Sequence, residues 1–206
     1  MTKEEYLFNP SWASSLSYWR TCNYKMPDNM KDVREDEFSE ELLLEFNDEP
    51  YFKLTHDLQV VDDYEIPSNY EFINCSSEDY SKHIRSCYPD EFISVEDLEE
   101  YKKGPLYDGD LWLCLYDKER EEILATGIAE LDPDIKEGYL DWIQVSKAYR
   151  RRGLGRVIVL ELLRRLHKKA DFATVSGRVK NDSKPEVLYE ACGFKDKVIW
   201  HILTKK

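Results

Sequence analysis

Between Leu154 and Leu166 apolar residues recur at four-residue steps, Leu154, Ile158, Leu162 and Leu166, with Val157 and Leu163 beside them. Arg164, Arg165, Lys168 and Lys169 fall on the polar side and at the C-terminal end. This spacing predicts an amphipathic helix whose basic end complements the helix dipole. Upstream, residues 111–116, 123–128 and 139–145 are short apolar or alternating runs, separated by polar segments at 117–122 and 132–138. They predict three strands joined as antiparallel hairpins. Downstream, 172–179 reads as a strand, 186–191 as a short helix ended by Gly193, and 198–204 as a closing strand.

The earlier part is more polar. Ser76-Ser77-Glu78-Asp79 has the chemistry of a helix start, a hydroxyl to cap free amides and acids to suit the positive end, and Tyr80, Ile84 and Tyr88 follow at four-residue spacing. Ser94 repeats the signal for a second helix over 95–101, stopped by Gly104-Pro105. Short strands are predicted at 51–54 and 70–73, with turns at Asp62-Asp63 and Pro67-Ser68-Asn69. The first fifty residues combine Trp12, Tyr18, Trp19 and Tyr24 with an acidic run that leads into Leu42-Leu43-Leu44, and read as irregular chain followed by a short helix. The predicted division is an acidic, aromatic N-terminal extension over 1–66, packed on a domain over 67–206.

A chain of 206 residues can bury a core without metals or disulfides. Charge is unevenly spread: residues 1–100 hold 8 of the 29 Lys and Arg but 25 of the 42 Asp and Glu, and the net charge is −13. The basic residues gather around one glycine pair, which disfavours a nucleic-acid partner. No apolar run approaches the length of a membrane span and the start lacks a signal pattern, so no membrane partner and a cytoplasmic location are expected. Five scattered cysteines without a C-x-x-C pair, and four dispersed histidines, predict reduced thiols and no metal site.

The chemistry concentrates in Ile143-Gln144-Val145-Ser146-Lys147-Ala148-Tyr149-Arg150-Arg151-Arg152-Gly153-Leu154-Gly155-Arg156, a predicted strand running into a glycine loop that opens the helix. Free amides at a helix N-terminus carry partial positive charge, glycine lets a ligand approach the backbone, and four arginines add guanidinium donors. A pyrophosphate suits such a place. A tight turn into a packed helix uses the same glycines. The stretch is not G-x-x-x-x-G-K-[ST], and it lacks the third glycine and downstream acid of a dinucleotide fold.

Arg150-Arg151-Arg152-Gly153-Leu154-Gly155 matches Q/R-x-x-G-x-G/A, the acetyl-CoA signature of the GNAT superfamily of N-acyltransferases. Ile143-x-Val145-x-x-x-Tyr149-Arg150 resembles that family's strand whose backbone pairs with the pantetheine arm, and Leu188-Tyr189-Glu190-x-x-Gly193-Phe194 resembles its L-Y-x-x-x-G-F element. The resemblance covers roughly Tyr70 to Lys206. It implies an α+β, three-layer α-β-α fold with a central mixed, mostly antiparallel sheet. It also implies acetyl-CoA as acyl donor, held by Ile143, Gln144, Val145, Arg150, Arg151, Arg152, Gly153, Leu154, Gly155 and Arg156. The family's asparagine corresponds to Asn181, which lies eight residues before Tyr189 where the family has six or seven, so Asp182 or Ser183 are alternative occupants.

The implied reaction is direct acetyl transfer to a primary amine in a ternary complex. The amide of Val145 or its neighbour would polarise the thioester, and Tyr189 would protonate departing CoA. Asp141 or Glu130 would accept the amine proton. Cys192 as a covalent nucleophile is disfavoured, since no His is near it in sequence. The acidic first half suits a cationic acceptor, a small molecule or a peptide amine. The chain would act as monomer or homodimer. The alternative is a non-catalytic acyl-CoA sensor or interaction module that keeps the loop but has no need of Tyr189.

Overall fold

The computed structural model describes residues 1–88, 92–181 and 183–206. In chain order the elements are α1 (Lys3–Phe8), α2 (Pro10–Ala13), α3 (Tyr18–Asn23), β1 (Met30–Arg34), β2 (Phe46–His56), β3 (Tyr70–Ile73), α4 (Ser77–Cys87), α5 (Val95–Lys103), β4 (Trp112–Asp117), β5 (Glu122–Asp132), β6 (Glu137–Val145), α6 (Leu154–Leu166), β7 (Phe172–Arg178), α7 (Pro185–Glu190) and β8 (Lys195–Lys205). Short 3-10 turns lie at Glu40–Leu44, Gly109–Leu111 and Lys147–Tyr149. The chain forms an α+β fold of two compact units, Leu58–Ala173 on the one hand and Met1–Asp57 with Thr174–Lys206 on the other.

The unit over Leu58–Ala173 is built on an antiparallel meander in the order β6-β5-β4-β3, as the hairpin spacing predicts. Helices α4 and α5 begin at the predicted serines, each in a reciprocal capping box. Ser76 Oγ accepts from Asp79 N at 3.1 Å and Asp79 accepts from Ser76 N at 3.0 Å, and Ser94 with Asp97 repeats the pattern. Tyr80 and Ile84 of α4 and Leu98 of α5 form a core with Trp112, Cys114 and Ile128. Helix α6 buries Leu154, Val157, Ile158, Leu160, Leu162, Leu163 and Leu166. It approaches the sheet so closely that a Cβ added at Gly127 would collide with Ile158, and one at Gly138 with Leu166. The glycines there answer to helix–sheet packing.

Register along β5 and β6 slips by one residue. Gly127 faces Ile143 and Ala129 faces Leu140, so Asp141 and Trp142 both stand opposite Ile128 in a bulge. Trp142 packs against the core on the α4 side.

The expectation of reduced thiols is corrected at one pair. Cys75 and Cys114 form a disulfide, with Cα atoms 6.3 Å apart, while Cys22, Cys87 and Cys192 are not in disulfides. The 39-residue separation hides the pair in the sequence. Antiparallel pairing of β3 with β4 sets Ile73 opposite Cys114, and Cys75 follows two residues on.

In the other unit the strand order is β1-β8-β2-β7, so β2 from the N-terminal region lies between β8 and β7. Strand β1 was not legible in the sequence: Met30–Arg34 is half-buried throughout and shows no alternation, yet it pairs with β8 from Met30–Thr204 to Arg34–Trp200. Lys53 on β2 is fully buried. Its ammonium donates to Tyr6 Oη at 3.0 Å, Ser14 O at 3.0 Å and Leu16 O at 2.5 Å, three acceptors for three protons. Trp200 Nε1 donates to Ser11 O at 2.9 Å. These bonds fix residues 6–16 onto the strands of their own unit.

Candidate functional site

The predicted anion loop opens α6 without a capping side chain. Gly153 is the N-cap residue at φ 83°, and no side chain accepts from the first amides of the helix. A Cβ placed on Gly153 would meet nothing within 4 Å, so open space lies beside its backbone. Arg151 also sits at positive φ, 63°, a conformation costly for a residue with a Cβ. A cavity of about 380 Å³ lies at this point, lined by Arg152, Gly153 and Arg156 on one side and by Tyr64, Pro67 and Tyr70 on the other.

The segment before β3 runs along α6 and is tied to it. Asp62 pairs with Arg156 at 2.7 Å, Tyr64 Oη donates to Glu161 at 2.6 Å, and His167 Nδ1 lies 2.6 Å from Leu58 O. Burial, with the Glu161 carboxylate, pushes the Tyr64 phenol up to about 12, so it stays a donor. Arg152 stacks over the Tyr149 ring, and neither Arg151 nor Arg152 has an ion-pair partner among the described residues. Uncapped amides, the positive helix end and these two guanidinium groups together suit a diphosphate.

The other predicted donor-binding residues divide by what their side chains do. Leu154 is core and offers the loop only its backbone. Arg150 turns away from the cavity: its Nε donates to Val145 O at 3.2 Å and its terminal nitrogen to Cys87 O at 3.1 Å. Gln144 is buried, and its amide donates to Thr126 Oγ1. The same hydroxyl lies 2.9 Å from His83 Nδ1, and His83 Nε2 lies 2.9 Å from Ser146 Oγ, which donates to Ile123 O at 3.0 Å. Burial pushes His83 down to about 4, so the ring is neutral at pH 7 and holds the end of β6. Ile143 and Val145 are half-buried on the final stretch of that strand.

Strand alternation puts Glu130 on the face of Ile128, and the bulge aims Asp141 and Trp142 to the same face. The two acids proposed from the sequence therefore share the sheet face that carries α4. Tyr189 and Asn181 belong to the other unit. Tyr189 is 5% exposed on α7, with Phe52 at 6.1 Å and Phe194 at 5.7 Å between ring centroids. Asn181 Oδ1 accepts from Ser183 N at 2.9 Å and from Ser183 Oγ at 2.7 Å, closing the turn before α7. Asp182 lies outside the described residues.

Sequence reasoning missed His83, Tyr88, Asp62 and Tyr64 as neighbours of the loop and its strand. Tyr88 was read as a core-face repeat of α4, yet its hydroxyl donates to Ile143 O at 3.0 Å. The paired Asp62-Asp63 read only as a turn.

Residues 108–196 match the model of the acetyltransferase (GNAT) domain. Among solved structures it is similar to a GCN5-related N-acetyltransferase from Sphaerobacter thermophilus at 13% identity and TM-score 0.68, covering 84% of this chain and 58% of that one. It is also similar to a Drosophila protein at 16% identity and TM-score 0.59, covering 78% and 52%. A third is a GNAT-family acetyltransferase from Colwellia psychrerythraea, at 14% identity and TM-score 0.60, covering 84% and 64%. The chain thus spans between about half and two thirds of the length of these structures. At such identities the likeness is one of fold. No curated protein sequence matches the chain. Among the described residues no helix is long and apolar enough to cross a membrane, and no group of three or more His, Cys, Asp or Glu could hold a metal ion.

Proposed function

We propose that the chain transfers an acetyl group from acetyl-CoA to a primary amine. The observation that carries this reading is the uncapped start of α6, with open space beside Gly153 and a cavity lined by Arg152, whose guanidinium has no ion-pair partner among the described residues, inside the stretch that matches the GNAT domain model. In this reading the diphosphate lies on the amides of 151–156 and the pantetheine arm pairs with β6 over Ile143–Val145. The amine nitrogen attacks the thioester carbon, the C–N bond forms, and the carbonyl oxygen gathers charge that the Val145 amide stabilises. The C–S bond then breaks. Before the attack the protonated acceptor gives one proton to Asp141 or Glu130, directly or through water, and after it the departing sulfur takes a proton from Tyr189, which the second proton shed by the acylated nitrogen restores. The sequence resemblance assigns Tyr189 that part, and a phenol with a reference pKa of about 10 is protonated at pH 7. The acceptor is a cationic amine and the location cytoplasmic in the same reading.

The test is acetyl-CoA turnover against a panel of cationic and neutral amines, with the wild-type chain and Tyr189→Phe. The substitution keeps the ring that packs on Phe52 and Phe194. Turnover is expected to fall by roughly 10- to 10,000-fold with little change in CoA affinity. CoA binding without turnover on any amine would replace the enzyme by a sensor, and no CoA binding at millimolar ligand would remove both.

A further inference from the structure

The last residues of β6 have two backbone carbonyls that side chains engage. Ser146 N donates to Leu124 O at 2.9 Å, and in an antiparallel ladder the residues alternate between facing the partner and facing away. Gln144 therefore faces β5, while Ile143 and Val145 turn their amides and carbonyls outward. Both outward carbonyls accept from side chains: Ile143 O from Tyr88 Oη at 3.0 Å, and Val145 O from Arg150 Nε at 3.2 Å. Arg150 also reaches Cys87 O at the end of α4, at 3.1 Å. Two side-chain donors stand where a strand or an amide-bearing ligand would put its own N–H groups.

We infer that Tyr88 and Arg150 are placeholders on β6, holding the carbonyls of Ile143 and Val145 until the amides of the pantetheine arm replace them. The inference rests on the acyl-CoA reading above and names two positioning residues for it. Arg150 stands three residues before Gly153, at the start of the loop proposed to hold the diphosphate. A guanidinium bonded to a phosphate makes a stronger, charge-assisted bond than one bonded to a neutral carbonyl. Arrival of the diphosphate draws Arg150 off Val145 O and frees that acceptor as the arm comes to need it. One ligand's two halves are thereby coupled through one side chain, and a ligand without phosphates has to displace Arg150 unaided.

Two simple alternatives make opposite predictions. If the two side chains only stiffen the strand, removing either loosens the edge and weakens every ligand that pairs with it. If they are placeholders, removing them strengthens binding of the arm. Calorimetric titration with S-acetylpantetheine and with acetyl-CoA separates the two. Tyr88→Phe is expected to tighten both ligands about 5-fold, the worth of one neutral hydrogen bond. Arg150→Met, which keeps the stem, is expected to tighten S-acetylpantetheine about 10-fold but not acetyl-CoA, which loses a phosphate partner. In the unaltered chain, saturating inorganic pyrophosphate is expected to raise S-acetylpantetheine affinity severalfold. S-acetylpantetheine affinity that is unchanged or lowered in the variants, or unmoved by pyrophosphate, overturns the placeholder role while leaving the acyl-CoA reading intact. A wild-type chain that binds no acetyl-CoA overturns both.

Discussion

The two ends of α6 carry arginines and lysines in similar density and use them in opposite ways. At the C-terminal end Arg164, Arg165 and Lys169 are engaged by the protein itself. Arg165 donates to Glu161 at 2.7 Å and to Asp110 O at 2.7 Å, and Lys169 bridges Asp108 at 2.6 Å and Asp110 at 2.9 Å. At the N-terminal end Arg151 and Arg152 have no acidic partner among the described residues, Gly153 is open, and only Arg156 is paired, with Asp62. The dipole sharpens the contrast. Cations at a helix C-terminus relieve its negative end and need no ligand, whereas cations at the N-terminus add to a positive end and raise the potential there until an anion arrives. A basic cluster is thus a binding site only where its own charges lack partners.

The largest expected effect comes from putting an anion into the open end. Gly153→Glu places a carboxylate in the diphosphate position and a Cβ at φ 83°, and acetyl-CoA affinity is expected to fall at least ~100-fold, or about 2.7 kcal/mol. Gly153→Asn, which tolerates that φ, is expected to lose much less, so calorimetry on the pair separates charge from strain. Next, Arg152→Gln is expected to weaken acetyl-CoA about 10-fold, and more at low salt, while Arg164→Gln at the other end changes affinity less than about 2-fold. Equal losses at the two ends would break the comparison.

Acidification is expected to reach the two ends in order. His83, which holds the strand leading into the loop, has a folded pKa pushed down to about 4 from 6.5, so protonation favours the unfolded chain. Its stabilising contribution is full above pH 6.5 and is lost as pH falls through about 4, up to roughly 3 kcal/mol in all. At the C-terminal end the bond from Lys169 holds Asp110 below the usual carboxylate range, so that pair persists until the carboxylate itself titrates. Chemical denaturation across pH 7 to 4 is expected to show a slope that His83→Gln flattens. Smallest of all, Lys169→Met is expected to cost no more than about 1 kcal/mol, as part-exposed ion pairs usually do, and to leave acetyl-CoA affinity unchanged.

How much of this was legible follows from what each feature depends on. The body of α6, the capping boxes of α4 and α5 and the meander rest on local patterns, and each lies within a few residues of its expected bounds. The loop was legible because glycine, arginine and a helix start are sequence neighbours. Its partners were not. Asp62 meets Arg156 across 94 residues, Tyr88 meets Ile143 across 55, and Cys75 meets Cys114 across 39. Nothing local marks such contacts, because only the pairing of strands and the packing of helices on them bring the groups together. Arg150 shows the same limit in reverse. The sequence places it in the loop, and the fold turns its guanidinium back onto the strand.

The most direct test of the account follows backbone amides of the isotopically labelled 24.5 kDa chain by NMR as acetyl-CoA is added. The amides of residues 151–156 are predicted to shift most and those of 164–169 hardly at all. Shifts centred on 164–169, or none at millimolar acetyl-CoA, would contradict the assignment of the donor site to the open end of α6.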